Sequence, residues 1–159
     1  MRKDVILGWH CLRGNRELRY FDGRQVQPGK IVKQPDMRRR PSLCDYGMHA
    51  ALDLEMLVSS FPWLPGYELQ SLTPENEHYF WLCRVAVKGS LDQSSWYHRF
   101  RKATGKKRFI MWMVKIDRAD RTRLVEARDN RVKMRNIILG IKRRQKPREY
   151  RLPRSWRVG

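Results

Sequence analysis

"FIMWMVKI", Phe109 to Ile116, is an apolar run interrupted only by Lys115. Its β-branched and aromatic residues and its short length fit a strand better than a helix. A strand apolar on both faces is covered on both faces, so this run predicts a core strand with material on either side. The next residues predict one of the covers. Asp117 followed by Asp120 reads as a helix start, with acids in the first turn where the helix dipole favours them. Met134, Ile137, Ile138 and Ile141 then fall at i, i+3, i+4 and i+7, one apolar helical stripe. Leu124, Val125 and Val132 lie in a different register, which predicts two helices broken near Asp129-Asn130.

Further strands are expected on the N-terminal side. "FWLCRVAV", Phe80 to Val87, reads as a buried strand closed by Gly89, and Val5 to Leu12 as the first strand. Asp22-Gly23 predicts a tight hairpin between Leu18–Phe21 and Gln25-Val26, and Ile31 to Lys33 a short strand after Pro28-Gly29. Thr104-Gly105 suggests a hairpin with a basic tip over residues 96–113. Ala50 to Phe61 reads as an internal helix stopped by Pro62. The fold class expected is α+β: a mainly antiparallel sheet, one internal helix and one or two basic C-terminal helices. Residues 1–141 form one domain, with 1–116 the sheet core and 117–141 a basic helical extension. Residues 142–159, with Pro147, Pro153 and little to bury, read as an extended or flexible tail.

Charge narrows the partners. Residues 1–98 carry 13 basic and 11 acidic groups, net +2, whereas residues 99–159 carry 22 and 5, net +17. A field so concentrated calls for a polyanion, and nucleic acid is the commonest one inside a cell. No apolar run nears the ~20 residues that span a bilayer, so no membrane partner is expected. Three cysteines without framework spacing point to free thiols and a reducing, cytoplasmic setting.

Three basic clusters are the candidate nucleic-acid contacts. Arg99, Arg101, Lys102, Lys106, Lys107 and Arg108 flank the predicted hairpin, interleaved with Trp96, Tyr97 and Phe100 as base-stacking candidates. Arg128, Arg131, Lys133 and Arg135 decorate the predicted helix opposite its apolar stripe. Lys142, Arg143, Arg144, Lys146, Arg148, Arg151, Arg154 and Arg157 lie in or beside the tail. Arginine dominates, and its planar fork suits phosphates and base stacking, which favours RNA over DNA.

Candidate chemistry is sparser. His10-Cys11, Cys44 and His49 carry ligand or nucleophile types, yet strand neighbours such as His10 and Cys11 point to opposite faces. Free cysteines are usually small buried hydrophobes, so neither a metal nor a cofactor is expected.

Gly8-Trp9-His10, Asp22-Gly23-Arg24, Pro28-Gly29, Cys44-x-x-Gly47-x-His49-Ala50, Arg84 to Gly89 and Arg108-Phe109-Ile110 together form a pattern. It resembles that of a family of uncharacterised small domains from tailed-phage and bacterial genomes, over roughly residues 5–116. The family's Asp-Lys pair before the last strand is replaced here by "DQSSWYHRFRK". The resemblance implies a fold and a phage origin, with the cytoplasm of an infected or carrier cell as the setting, and no reaction. A looser similarity, to ADP-ribosyltransferases, implies NAD as cofactor, with His10 at the nicotinamide ribose and Tyr46 and His49 lining the pocket. Such enzymes also need a late carboxylate, for which Glu126 in the basic helix is ill placed.

The expected function is therefore a small basic protein, phage-encoded by the resemblance, that binds nucleic acid or a nucleoprotein through its C-terminal hairpin, helix and tail. The alternatives are an ADP-ribosyltransferase-like enzyme and an inhibitor of a host defence nucleoprotein such as a CRISPR complex.

Overall fold

The computed structural model describes residues 4–13, 25–41, 48–54, 79–89, 92–94 and 102–157. Seven strands form one sheet: β1 (Val5–Arg13), β2 (Ile31–Lys33), β3 (Met48–Ala51), β4 (Tyr79–Lys88), β5 (Asp92–Ser94), β6 (Lys102–Gly105) and β7 (Lys107–Asp117). Their order is β2-β7-β4-β1-β3-β6-β5, and every neighbouring pair is antiparallel. Two helices follow, α1 (Arg118–Glu126) and α2 (Arg131–Gln145), and a 3-10 turn at Arg154–Trp156. The chain is thus an α+β fold on a mainly antiparallel sheet.

The long apolar runs are the spine. β4 pairs along its length with β1, from Val5↔Lys88 to Arg13↔Phe80, and with β7, from Tyr79↔Asp117 to Lys88↔Lys107. Strand alternation then sorts side chains by face. Cys83, Val85, Val87, Ile110 and Met113 join Leu12, Met48, Ala50 and Ala103 in one buried cluster. On the other face Leu82, Val114 and Ile116 meet Leu124 of α1 and Met134, Ile137, Ile138 and Ile141 of α2. The predicted stripe is therefore the face that docks. Helix boundaries follow side-chain caps: Asp117 accepts from the Asp120 amide at 2.8 Å, and Asn130 accepts from the Lys133 amide at 3.1 Å.

Three expectations need correction. Ala50 and Ala51 belong to β3 rather than to a helix; Leu54 is helical, and the rest of the predicted 50–61 helix lies outside the described residues. Alanine's helix propensity loses here to burial, because both residues sit in the core between β1 and β6.

β6 and β7 are not a hairpin. Only Lys106 separates them, yet β6 pairs with β3 and β5 while β7 pairs with β2 and β4. The sheet curls so that the end of β6 lies on the end of β4. A Cβ on Gly105 would come within 2.8 Å of the Lys88 carbonyl oxygen, and the Lys106 amide donates to the Gly89 carbonyl at 3.0 Å. Gly105 thus serves close approach, not a turn tip. The Asp22-Gly23 hairpin lies outside the described residues, apart from Gln25 and Val26.

The tail buries more than its sequence suggests. Trp156 is 1% exposed and joins Val5, Ala86 and Phe109 in a third cluster, with Leu7, Met111, Tyr150 and Leu152 packed against it. The Tyr150 amide donates to the Met111 carbonyl at 2.8 Å, so the tail hydrogen-bonds to β7. Gly29, at φ +81°, lets the Tyr150 ring lie where any Cβ would stand, 2.5 Å from its Cδ1. The tail is extended, and it is docked along residues 146–157.

Candidate nucleic-acid interface

One face of the sheet carries α1, α2 and the tail as its outer layer, and most described candidate cations lie there. Because Met134, Ile137, Ile138 and Ile141 take the inner side of α2, Arg131, Lys133, Arg135, Arg143 and Arg144 are exposed on its remaining circumference. Arg128 is exposed in the turn between the helices. In the tail, burial of Tyr150, Leu152 and Trp156 leaves Lys146, Arg148, Arg151, Arg154 and Arg157 exposed. The last four recur at every third residue, a period the clusters alone did not suggest. α1 adds Arg118, Arg121 and Arg123, which the sequence reading did not single out because they share a segment with Asp117 and Asp120.

From 117 to 157 the chain holds 12 Arg and 3 Lys against 5 Asp and Glu. Two of those acids bind cations within the layer. Asp120, 4% exposed, accepts from Arg144 Nη2 at 2.9 Å and Arg123 Nη1 at 3.2 Å, tying α1 to the end of α2. Glu149 accepts from Lys142.

Lys142 also has a structural role. Its ammonium lies 4.4 Å from the Trp112 ring centroid, and Trp112 meets Trp9 edge-on at 5.8 Å. On the far side Arg84 stacks over Trp9 at 4.6 Å and donates to the Gly8 carbonyl at 3.3 Å. Burial lowers the Arg84 pKa, and the Arg135 guanidinium pushes it the same way. This ladder of cations and indoles seats α2 on the sheet.

Arg108 is not on the surface. It is 3% exposed, its Nη1 donates to the His49 carbonyl at 3.0 Å, and its Nε and Nη2 have no hydrogen-bond partner. Burial pulls its pKa down to about 10, with Cys83 acting upward against it. Its place opposite Val87 on β4 fixes this outcome, since Val87 faces the buried cluster between β3 and β7. Lys106 and Lys107 are half-buried at the joint between β6 and β7, and Lys102 is described by its backbone alone, in β6. Arg99, Arg101, Trp96, Tyr97 and Phe100 lie outside the described residues.

The imidazoles do not converge. His10 alternates with Trp9 and Cys11, which pack toward the helices, and so faces the other side with Leu12 and Ala50. His49 alternates with Met48 and Ala50 and so shares the helix side with Ala51. Tyr46 and Cys44 lie outside the described residues. Cys11 and Cys83 are free thiols, and burial pushes the Cys83 thiol up to about 12. Among the described residues no three His, Cys, Asp or Glu side chains gather to hold a metal ion, and no helix is long and apolar enough to cross a membrane.

Comparison with protein-family models, curated proteins and solved structures finds no match to this chain.

Proposed function

We propose that this chain binds nucleic acid, with RNA favoured, through the layer formed by α1, α2 and residues 146–157. The observation that carries the reading is the excess of 12 Arg and 3 Lys over 5 acids in a single layer, with Asp120 and Glu149 each already engaged. Phosphates meet this layer without having to order its backbone, because Trp156, Tyr150 and the buried stripe of α2 already hold it. Binding should release counterions, by roughly 0.7 per phosphate for a single strand. Changing Arg148, Arg151 and Arg154 together to Gln should therefore flatten the slope of log K against log salt by about 2. The matching change of Arg131, Lys133 and Arg135 should act alike. Unaltered slopes in both triple variants reject the reading.

A nucleoprotein target has one observation in its favour. Val132 and Leu139 are 68% and 46% exposed and lie seven residues apart on the outer side of α2, among its arginines. Exposed apolar residues within a basic face suit a partner with protein as well as phosphate. Changing both to Ser should weaken capture of such a complex and leave affinity for bare RNA unchanged.

A further inference from the structure

Beside the end of α2, the paired ends of β4 and β7 border an open cleft of about 610 Å³. Tyr79, Trp81, Lys115, Asp117, Arg144 and Gln145 are among its walls. We propose that this cleft takes one unpaired nucleotide of a bound strand, its base against Tyr79 and Trp81 and its phosphate between Lys115 and Arg144. The inference rests on the nucleic-acid reading above and gives it a place where bases, and not only phosphates, are recognised.

Tyr79 and Trp81 point to the same side of β4, as residues two apart on a strand must. Their rings stand 6.0 Å apart at 85°, which makes a floor and a wall. Lys115, directly across the ladder from Trp81, holds its ammonium 4.9 Å from the Tyr79 ring centroid and 5.4 Å from that of Trp81. The ammonium thus lies over the corner the two rings form, and a base that enters the corner displaces it outward, which leaves a π surface for the base and a cation for its phosphate. Arg144 supplies a second cation, set in place by its 2.9 Å bond to Asp120. Asp117, whose carboxylate is turned to the Asp120 amide, disfavours phosphate at the other end, so the nucleotide has one preferred direction.

The cleft is also preformed. The Gln145 carboxamide accepts from the Lys115 amide and donates to the Lys115 carbonyl, both at 2.8 Å. These two bonds fix the end of α2 against β7 and so fix Arg144 relative to the two rings. A simple phosphate ion would use the cations and leave the rings idle, while a cationic ligand would meet Lys115 and Arg144. A nucleotide uses both halves.

The test is titration of the full chain, at fixed salt, with a single-stranded dodecamer and with an abasic dodecamer of equal charge. The expected result is about a tenfold preference for the strand with bases, the size of one stacked base. Trp81→Leu should abolish that preference without changing affinity for the abasic strand, and Lys115→Gln should weaken both. Tyr79→Leu carries the same test should Trp81→Leu fail to fold. Equal affinity for the two strands, or a preference that survives both ring variants, overturns the cleft while leaving the basic layer intact. Binding to neither strand overturns the nucleic-acid reading as well. A mononucleotide that binds more tightly than the dodecamer overturns the strand-bound form of the proposal.

Discussion

The Arg108 guanidinium on β7 reaches across the inside of the curled sheet and donates to the backbone carbonyl of His49 on β3, at 3.0 Å. It is a buried cation with one hydrogen bond and two nitrogens left over. Such a group fixes how β3 lies over β7 at an electrostatic cost, because a guanidinium loses hydration that one carbonyl does not replace. Arg108→Met keeps most of the volume and removes the charge. Its free energy of unfolding in urea titration should equal or exceed that of the parent, by up to ~2 kcal/mol. Arg108→Ala, which leaves a void, should fall below it. Neither should alter RNA affinity per folded molecule.

Trp156 should anchor the entire tail. Its ring meets Phe109 at 6.1 Å and is fully enclosed with Val5 and Ala86. Trp156→Ala should cost about 3–5 kcal/mol by denaturant unfolding. Hydrogen exchange at the Tyr150 amide, now bonded to Met111, should accelerate well before global unfolding.

Asp120 is the one buried carboxylate among the described residues, and two arginines depend on it. Asp120→Asn keeps the shape and removes the charge. Both guanidinium groups are more than half exposed, so solvent screens the pairs and the loss should be about 1–2 kcal/mol. The same variant adds one net positive charge to the layer and should tighten RNA binding at low salt.

Cys83 gives a pH signature. Its thiol is raised from 9.0 to about 12, first by burial, with Arg108 opposing. A chain unfolded above pH 9 loses that proton, whereas the folded chain keeps it. The stabilisation is therefore complete below pH 9 and is lost as pH rises toward 12. Arg108 acts in the opposite sense above about pH 10, where the folded state sheds a proton that the unfolded state retains. Between pH 9 and 10 stability should fall with rising pH, and Cys83→Ala should remove that fall. A thiol reagent at pH 8 should modify half-buried Cys11 and spare Cys83 in the folded chain.

What could be read in the sequence was local. Val5–Leu12, Phe80–Val87 and Phe109–Ile116 announce strands because several consecutive residues share one preference. The Asp117 cap announces a helix start through a side chain only three residues from its amide partner, and the break near Asp129-Asn130 shows in the change of apolar register, with Asn130 capping α2. The misread features depend on distant contacts. Tyr150, Leu152 and Trp156 have no regular spacing, and their burial is set by Gly29, Met111 and Phe109. Gly105 looks like a turn residue until Lys88 is placed beside it. The charge excess was plain in the chain, but separating outward arginines from the inward Arg108 required the strand register. The cleft of Tyr79, Trp81 and Lys115 went unnoticed for the same reason: Lys115 meets the two rings only across the β4–β7 ladder.

Gln145 has a further effect on how copies of this chain coexist. A sheet border with bare amides and carbonyls recruits other sheets. At Lys115 the carboxamide imitates a neighbouring strand for the length of one residue, and the tail does the same at Met111. A single side chain thus occupies backbone groups through which two sheets could otherwise join.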